Sequence, residues 1–353
     1  MKLKLIEKLS NSFGAPGFED DVVELLKGEV KNFSRERDCI NNLYFGLEDR
    51  NLNKLTVAID AHSDEVGFMV KEINKNGSIS FLTLGGWVSG NIPCTSVIIK
   101  NNRGEFIKGV VASKPPHFMS EEERKKAPVV GDMTIDIGSS SYEETTEVYG
   151  IEIGNPIVPE VHFSYDSKNK VMRGKAFDNR LGCAGVVEVL NNIDTEKLDV
   201  NVVGIVASQE ENGCRGAQVA SQKVKPDFVI VFEGSPADDT FKDAFLSRGA
   251  LGKGVQLRVI DSSMISNPRV IQFAKKIAER EKIDFQIIAR DGGGTNAGKY
   301  HVANEGIPVL VLGVPTRYIH TPYSYASLKD YEAMVNLTIE ILKEINEDII
   351  KKF

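Results

Sequence analysis

Five short apolar runs restrict the folds that are open to this chain of 353 residues. The runs are rich in valine and isoleucine and do not alternate apolar with polar residues, which is typical of strands buried on both faces of a sheet. They are LTVAID (55–60), VNVVGIVAS (200–208), FVIVF (228–232), FQIIA (285–289) and PVLVL (308–312). Helical patterns occupy 20–30, 179–192, 267–281 and 328–353. This alternation predicts an α/β layered core.

The segment 67–171 follows a different pattern, because helical periodicity almost disappears there. Asn76-Gly77 and Asn102-Arg103-Gly104 are hairpin signals between candidate strands. MTIDIG (133–138) and VHFSY (161–165) continue the series of short strands. We therefore predict a small all-β, barrel-like domain at 67–171, inserted into an α/β domain formed by 1–66 and 172–353.

The composition restricts the kinds of partner that the protein is expected to bind and the cellular compartment in which it is expected to work. Lysine and arginine total 43 against 50 acidic residues, a net charge of −7, and no basic run is long enough to follow a phosphate backbone, so nucleic acid is not expected as a partner. The four cysteines are far apart, which predicts free thiols in a reducing cytoplasm. Lysines interrupt the apolar N-terminus, and the longest apolar run, 307–315, is well short of the roughly 18 residues of a membrane span. We expect neither export nor a membrane partner.

Polar residues that could carry chemistry follow the predicted strands. In open α/β sheets ligands bind beyond the carboxyl ends of the strands, so the residues at these positions are candidates for one site. They are His62 and Asp64, Glu210 and Glu211, Glu233, His320, and Asp178 at the start of a predicted helix. The chain has only five histidines, and we expect the other three, His117, His162 and His301, to be structural or peripheral.

Each candidate has an ordinary explanation when it is taken alone: Asp178 could be a helix N-cap, and Glu210 and Glu211 could form a solvated loop. Together, two histidines and several carboxylates without cysteine suit one or two divalent cations of the zinc, cobalt or manganese type. A mononuclear site would use three of them, whereas five candidate ligands favour a two-metal site. Asp64 could orient His62, and one of the two adjacent glutamates could act as a general base.

Other chemistries fit less well. GGGTNAGKY (292–300) nearly matches a phosphate-binding loop, but Tyr300 stands where serine or threonine must hold magnesium. A metal-free glycosidase could use the paired glutamates, although His62, His320 and Asp178 would then be unexplained. The sequence has no G-x-S-x-G nucleophile elbow.

Six motifs resemble one known family in composition and in order along the chain. They are AHSDEVGFMV (61–70), GKAFDNRLGC (174–183), SQEENGCRGA (208–217), DSSMIS (261–266), GGGTNAG (292–298) and PTRYIHTP (315–322). The family is that of the TET-type dinuclear metallo-aminopeptidases, which includes glutamyl and leucyl aminopeptidases and some members labelled endoglucanase. The resemblance implies a three-layer α/β/α metallo-exopeptidase domain that hydrolyses short peptides. It also implies that the β insertion is a dimerisation domain, through which dimers build a hollow dodecamer.

The resemblance also assigns roles within the site. Asp178 would bridge two divalent cations per subunit, zinc or cobalt and alternatively manganese. His62 and Glu233 would complete the shell of one cation, and Glu211 and His320 that of the other. Glu210 would be the general base that deprotonates a bridging water, and Asp64 would orient His62.

Two positions depart from the family pattern. Glu233 stands where aspartate is more common and reaches about 1.5 Å further, so Asp238 or Asp239 could share its role. Asn296 replaces an acid in the glycine loop. These differences could alter metal affinity or substrate preference. They also leave two alternatives to the metallo-enzyme: a non-catalytic shell protein that binds peptides, and the metal-free glycosidase.

Overall fold

The computed structural model describes residues 2–243, 246–247 and 249–353. The helices are α1 (Lys2–Asn11), α2 (Asp20–Glu29), α3 (Glu121–Lys125), α4 (Phe177–Asn192), α5 (Arg215–Val224), α6 (Pro268–Arg280), α7 (Ala297–His301), α8 (Leu328–Glu344) and α9 (Glu347–Ile350). The helical pattern predicted at 328–353 is thus divided into two helices. Within the described residues, no helix has the length and apolar character needed to cross a membrane.

The strands form two separate sheets. The first strands of the large sheet are β1 (Arg35–Arg37), β2 (Leu43–Phe45) and β3 (Thr56–His62). The barrel strands follow: β4 (Gly67–Ile73), β5 (Ile79–Leu84), β6 (Ser96–Lys100), β7 (Phe106–Val111), β8 (Thr134–Asp136) and β9 (Pro156–Pro159). The large sheet then continues with β10 (Ser164–Asp166), β11 (Val171–Gly174), β12 (Asn201–Ala207), β13 (Phe228–Pro236), β14 (Val255–Ile260), β15 (Phe285–Ala289), β16 (Val309–Arg317) and β17 (Ser324–Ser327).

The centre of the large sheet is parallel. β12, β3, β13 and β16 lie side by side in that order, and every residue of β3 is buried. Alternate residues of β3 face opposite layers: Val57 packs in a core with α1, α2, α4, α6 and α8, and Ala58 packs in a second core with α5 and α7. The predicted three-layer α/β/α architecture is confirmed.

The structure contradicts the prediction for one of the five apolar runs, FQIIA (285–289). The strand β15, formed by FQIIA, pairs only with β14 among the described strands and is largely accessible, with Ile288 as its one buried residue. It is an edge strand, where only one face meets the core, so the prediction that it is buried on both faces is incorrect.

The inserted strands close into a barrel with its own apolar core, which confirms the predicted barrel-like insertion. Phe68 lies in this core between Phe81 and Trp87. The strand within VHFSY, β10, pairs with β11 in the large sheet and not in the barrel. The division of the chain at residues 66 and 171 stays a prediction.

Candidate metal centre

Adjacent parallel strands bring the candidate residues to one end of the large sheet. His62 is the last residue of β3 and is paired with Ala207, the last residue of β12, so the loop that carries Glu210 and Glu211 begins beside it. On the other side of β3, Glu233 lies within β13. His320 follows β16, the next strand along. These five candidates therefore lie near the carboxyl ends of neighbouring strands or in the loops that follow them.

Asp178 lies between the two histidines. Its Oδ1 is 3.0 Å from His62 Nε2, and its Oδ2 is 3.5 Å from His320 Nε2. His62 Nε2 is also 3.5 Å from Glu233 Oε1, and His320 Nε2 is 3.5 Å from Glu211 Oε2. The carboxylate of Asp178 thus presents one oxygen to each half of the site.

Three groups of side chains place one ligand atom each within 4.8 Å of the others. They are His62, Asp178 and Glu233; Asp178, Glu211 and His320; and His62, Glu210 and Glu211. The first two groups share Asp178 and coincide with the two ligand sets that the resemblance implies. Asp238 and Asp239 and the three remaining histidines do not occur in these groups, which were sought among the described residues.

Asp178 is not the N-cap of α4, which was the ordinary explanation for this residue. Ala176 precedes the helix and has φ 56°, and the backbone is non-helical at Asp178 and Asn179. Asn179 does the capping instead, since its Oδ1 accepts from the N–H of Gly182 while its Nδ2 donates to the carbonyl of Phe232. The carboxylate of Asp178 is thereby left to face the histidines.

A glycine fits the close approach of β13 to α4. A Cβ atom on Gly234 would lie 2.5 Å from the Cα of Asp178. Because real Cβ atoms do not approach a backbone this closely, only glycine permits Glu233 and Asp178 to share the site at this spacing.

Gly86, which lies beyond the barrel strand β5, fixes the orientation of His320. Its carbonyl oxygen is 2.8 Å from His320 Nδ1. A carbonyl only accepts hydrogen bonds, so Nδ1 carries a proton and Nε2 is the ring nitrogen that faces Asp178 and Glu211. The inserted segment therefore contributes to the site, a contact that was not predicted from the sequence.

Asp64 acts mainly on the loop that carries the two glutamates. Its two oxygens accept from the backbone N–H groups of Glu210 and Glu211, each at 3.0 Å. Its Oδ1 is also 3.4 Å from His62 Nδ1. The sequence had indicated only the relation to His62, since backbone hydrogen bonds of a loop leave no residue pattern.

Glu210 lies apart from the two groups that share Asp178. The thiol of Cys214 donates to its Oε1 at 3.3 Å. Burial is the largest cause that raises the pKa of Glu210 to about 7; His62 opposes the rise, and the charges of Asp178 and Asp64 contribute to it. A carboxyl group with this pKa is suited to exchange protons near neutral pH.

The electrostatics of the remaining residues show a site that requires positive charge. Burial raises the pKa of both Glu211 and Glu233 well above its usual range. Burial alone would lower the pKa of His320, but Asp178 and Glu211 raise it to about 10. Carboxylates this crowded are stable only when protons or cations balance them.

The donor set fits divalent cations. Glu211 Oε1 and Glu233 Oε2 are buried and have no hydrogen-bond partner within the described part of the chain. Unpartnered buried acceptors are costly, and carboxylate oxygens together with imidazole nitrogens are ligands that zinc, cobalt and manganese accept.

A buried ionic cluster is connected to the candidate metal centre through the backbone. Glu65 Oε1 is 2.5 Å from Lys175 Nζ and 3.1 Å from Arg180 Nη2. Arg180 also donates to the carbonyl of Ser63, which joins this cluster to the segment between His62 and Asp64. These three residues are not among the candidates predicted from the sequence, although each lies within one of the six motifs.

Comparison with known proteins identifies the family of this chain. The family model for M42 glutamyl aminopeptidases matches residues 41–337. The lysyl aminopeptidase of Pyrococcus furiosus is 29% identical over 97% of this chain and 97% of its own length.

Solved structures of aminopeptidases also match this chain over almost its whole length. A TET aminopeptidase from the marine sediment archaeon Thaumarchaeota archaeon SCGC AB-539-E09 superposes with a TM-score of 0.93, at 34% identity and 99% coverage of both chains. The Pyrococcus horikoshii TET1 peptidase, described as able to assemble into a tetrahedron or a large octahedral shell, gives 0.87 at 26% identity, with 98% of this chain and 100% of that chain covered. The chain belongs to the M42 glutamyl aminopeptidase family.

Proposed function

We propose that this protein is a metal-dependent aminopeptidase that removes N-terminal residues from short peptides. The observation that carries the proposal is the pair of ligand groups that share Asp178, one with His62 and Glu233 and one with Glu211 and His320. Five ligands arranged in this way would hold two divalent cations, with Asp178 between them. We expect zinc or cobalt, with manganese as an alternative.

Residues of this chain would carry out the proton transfers of the proposed hydrolysis and position the groups that take part. Divalent cations bound here would polarise the peptide carbonyl and acidify the attacking water. Glu210, as general base, accepts a proton from that water and then donates it to the leaving amine. Asp64 holds the backbone of Glu210 in place through its N–H group, and Gly86 holds His320 in the tautomer that leaves Nε2 free.

Self-association through the β domain is part of the proposal. The barrel exposes large apolar side chains, among them Phe106 (53% exposed), Val88 and Ile153. Exposed apolar side chains that lie together on a surface mark protein interfaces, and these residues are candidates for one. With the assemblies described for related structures, this supports a homo-oligomer and, by the family resemblance, a dodecamer.

A cytoplasmic location is the last element of the proposal. Cys39, Cys94, Cys183 and Cys214 are all free thiols in the structure. Free thiols, two of them exposed, are suited to a reducing compartment.

One panel of assays tests the activity. Chelator-treated protein is incubated with aminoacyl-p-nitroanilides and then with added cobalt or zinc. We expect release of p-nitroaniline only after metal is restored. Absence of hydrolysis with either metal would overturn the proposal, and hydrolysis of carboxymethylcellulose that is insensitive to chelator would favour the metal-free glycosidase.

A further inference from the structure

The loop that carries Glu210 includes a residue with a left-handed backbone. Gln209 has φ 52°, a region that a residue with a Cβ atom adopts only at a cost in free energy. This residue lies just after β12, and the next two are the candidate base Glu210 and the candidate ligand Glu211. A backbone conformation of this kind beside reacting groups persists only when the surrounding structure holds it in place.

Two buried acidic side chains hold three successive N–H groups of this loop. Asp64 accepts from the N–H groups of Glu210 and Glu211, each at 3.0 Å. Oε1 of Glu19 accepts from the N–H group of Gln209 at 3.1 Å. Successive N–H groups next to a left-handed residue form a concave surface that binds acidic groups, and here two side chains of the same chain occupy it.

The side chain of Glu19 is directed at this loop and not at its own helix. Glu19 precedes α2, where an acid commonly accepts from the N–H groups of the first helical turn, but its side chain makes no such hydrogen bond. The residue is fully buried. Its Oε1 also accepts from the N–H group of Gly17 at 2.7 Å, and its Oε2 accepts from Nδ2 of Asn41 at 3.1 Å. Hydrogen bonds to both oxygens therefore fix the orientation of this carboxyl group.

The segment before Glu19 is anchored to the candidate centre. The carbonyl of Gly14 accepts from Nη2 of Arg180 at 3.2 Å and from the N–H group of Glu65 at 3.0 Å. Nε of Arg180 donates to the carbonyl of Ser63 at 2.7 Å, directly after the end of β3. The ionic cluster thus joins this segment to the strand end at the centre. The match to the family model begins at residue 41, so family membership assigns no role to the segment.

We infer that Glu19 is a positioning residue for the general base, because it holds Gln209 in the left-handed conformation that directs Glu210 toward the candidate centre. The inference rests on the proposed function, since Glu210 must act as the base for its direction to affect turnover. Asp64 holds the two N–H groups that follow, whereas the N–H group of Gln209 depends on Glu19. Without that acceptor, a change of Gln209 to negative φ would relieve the backbone strain and displace Glu210.

The test compares two variants of Glu19 on the cobalt-saturated enzyme, with the aminoacyl-p-nitroanilide that the wild type hydrolyses fastest. Glu19→Met retains the length of the side chain and removes both acceptor oxygens. We expect kcat to fall about 10–100-fold with KM near that of wild type, because displacement of a reacting group by about 1 Å costs up to that much. Glu19→Gln retains Oε1 as an acceptor. Burial and, to a smaller extent, the charge of Asp64 raise the pKa of Glu19 to about 7, so glutamine resembles the protonated carboxyl group and kcat should stay near that of wild type.

Asp227→Leu is the control. Oδ2 of Asp227 accepts from the N–H group of Thr56 at 2.7 Å, at the start of β3 and therefore at the opposite end from His62. This variant loses a comparable hydrogen bond and should keep the wild-type kcat. Glu19→Asp replaces Glu19→Met if the latter does not fold, because its oxygens are withdrawn by about 1.5 Å, and the same loss of kcat is expected.

Hydrogen exchange of peptic peptides that span 208–212 is a readout without turnover. Exchange should be about tenfold or more faster in Glu19→Met than in Glu19→Gln, because the loop opens locally when its acceptor is lost. An unchanged kcat or unchanged exchange in Glu19→Met, or equal losses of kcat in Glu19→Met and Glu19→Gln, would overturn the inference alone. Absence of hydrolysis by the wild type with cobalt and with zinc would overturn the proposed function, and the inference with it.

Discussion

Asp64→Asn tests whether the N–H groups of Glu210 and Glu211 are held by a single carboxylate. Each oxygen of Asp64 accepts one backbone N–H at 3.0 Å, one from each glutamate, and the side chain is fully buried. Asparagine retains one acceptor oxygen and turns an NH₂ group toward the other N–H. One of the two hydrogen bonds is therefore lost, and a buried donor is left without an acceptor.

The expected loss follows from those contacts. A hydrogen bond to a charged group contributes about 1.5–3 kcal/mol, so the free energy of unfolding should fall by about that amount. Displacement of the loop should also weaken metal binding, by about 10–100-fold, as is usual when a residue that orients ligands is removed. The two effects are measured separately, by urea unfolding of the metal-free protein and by competitive titration with a chromogenic chelator.

Asp330→Asn is the matched control. Asp330 is buried, and its two oxygens accept from the N–H groups of Gly252 and Gly254, at 2.6 and 2.7 Å. The substitution removes the same kind of hydrogen bond, but from a residue of α8 outside the three candidate groups. Metal affinity should be unchanged in this variant. Equal metal affinity in Asp64→Asn and wild type would refute the reasoning about the loop.

The remaining predictions concern the base, the ligands and a buried lysine. Glu210→Gln should keep its metal and lose about 10²–10⁴-fold in kcat, and a wild-type rate would contradict its role as base. His62→Ala and His320→Ala should each show less metal per subunit by elemental analysis while His117→Ala does not, and full occupancy in both would end the two-metal hypothesis. Burial lowers the pKa of Lys175 to about 8 from 10.5, so the unfolded chain binds more protons between those values and the free energy of unfolding should rise with pH there. Lys175→Met should weaken that rise in urea unfolding at pH 8, 9 and 10, and equal slopes would show that another group is responsible.

The layered fold and the barrel could be predicted because they depend on local pattern. Central strands such as 228–232 are apolar throughout since both faces are covered, and hairpin signals such as Asn76-Gly77 need only adjacent residues. The edge position of β15 could not be predicted, because a short apolar run has the same composition at an edge and at the centre. The same holds for β10, whose partner β11 is determined by tertiary packing.

The candidate residues could be listed because strand ends converge in an α/β sheet, so His62, Glu210 and Glu233 were expected at one edge. The contacts that orient these residues could not be predicted from the sequence, and the reason is physical. Gly86 acts through its carbonyl oxygen and the loop of Glu210 is held by its N–H groups, and every residue type has these backbone groups. Arg258 and Arg290 line a cavity beside the candidate centre, and nothing in their local sequence indicates which strand end they face.

Asn296, where the family resemblance leads us to expect an acid, hydrogen-bonds to a buried carboxylate in the structure. Its Nδ2 donates to Asp60 Oδ1 at 2.7 Å, and the hydroxyl of Tyr300 donates to Asp60 Oδ2 at 2.8 Å. Asp60 is fully buried two residues before His62, and burial raises its pKa to about 6. An acid at position 296 would face this carboxylate at hydrogen-bond distance, and like charges this close require that one of them be protonated. Asparagine instead supplies a donor, so Asp60 can be ionised beneath His62 without a shared proton. Asn296 thus acts on the polar core beneath the candidate metal centre.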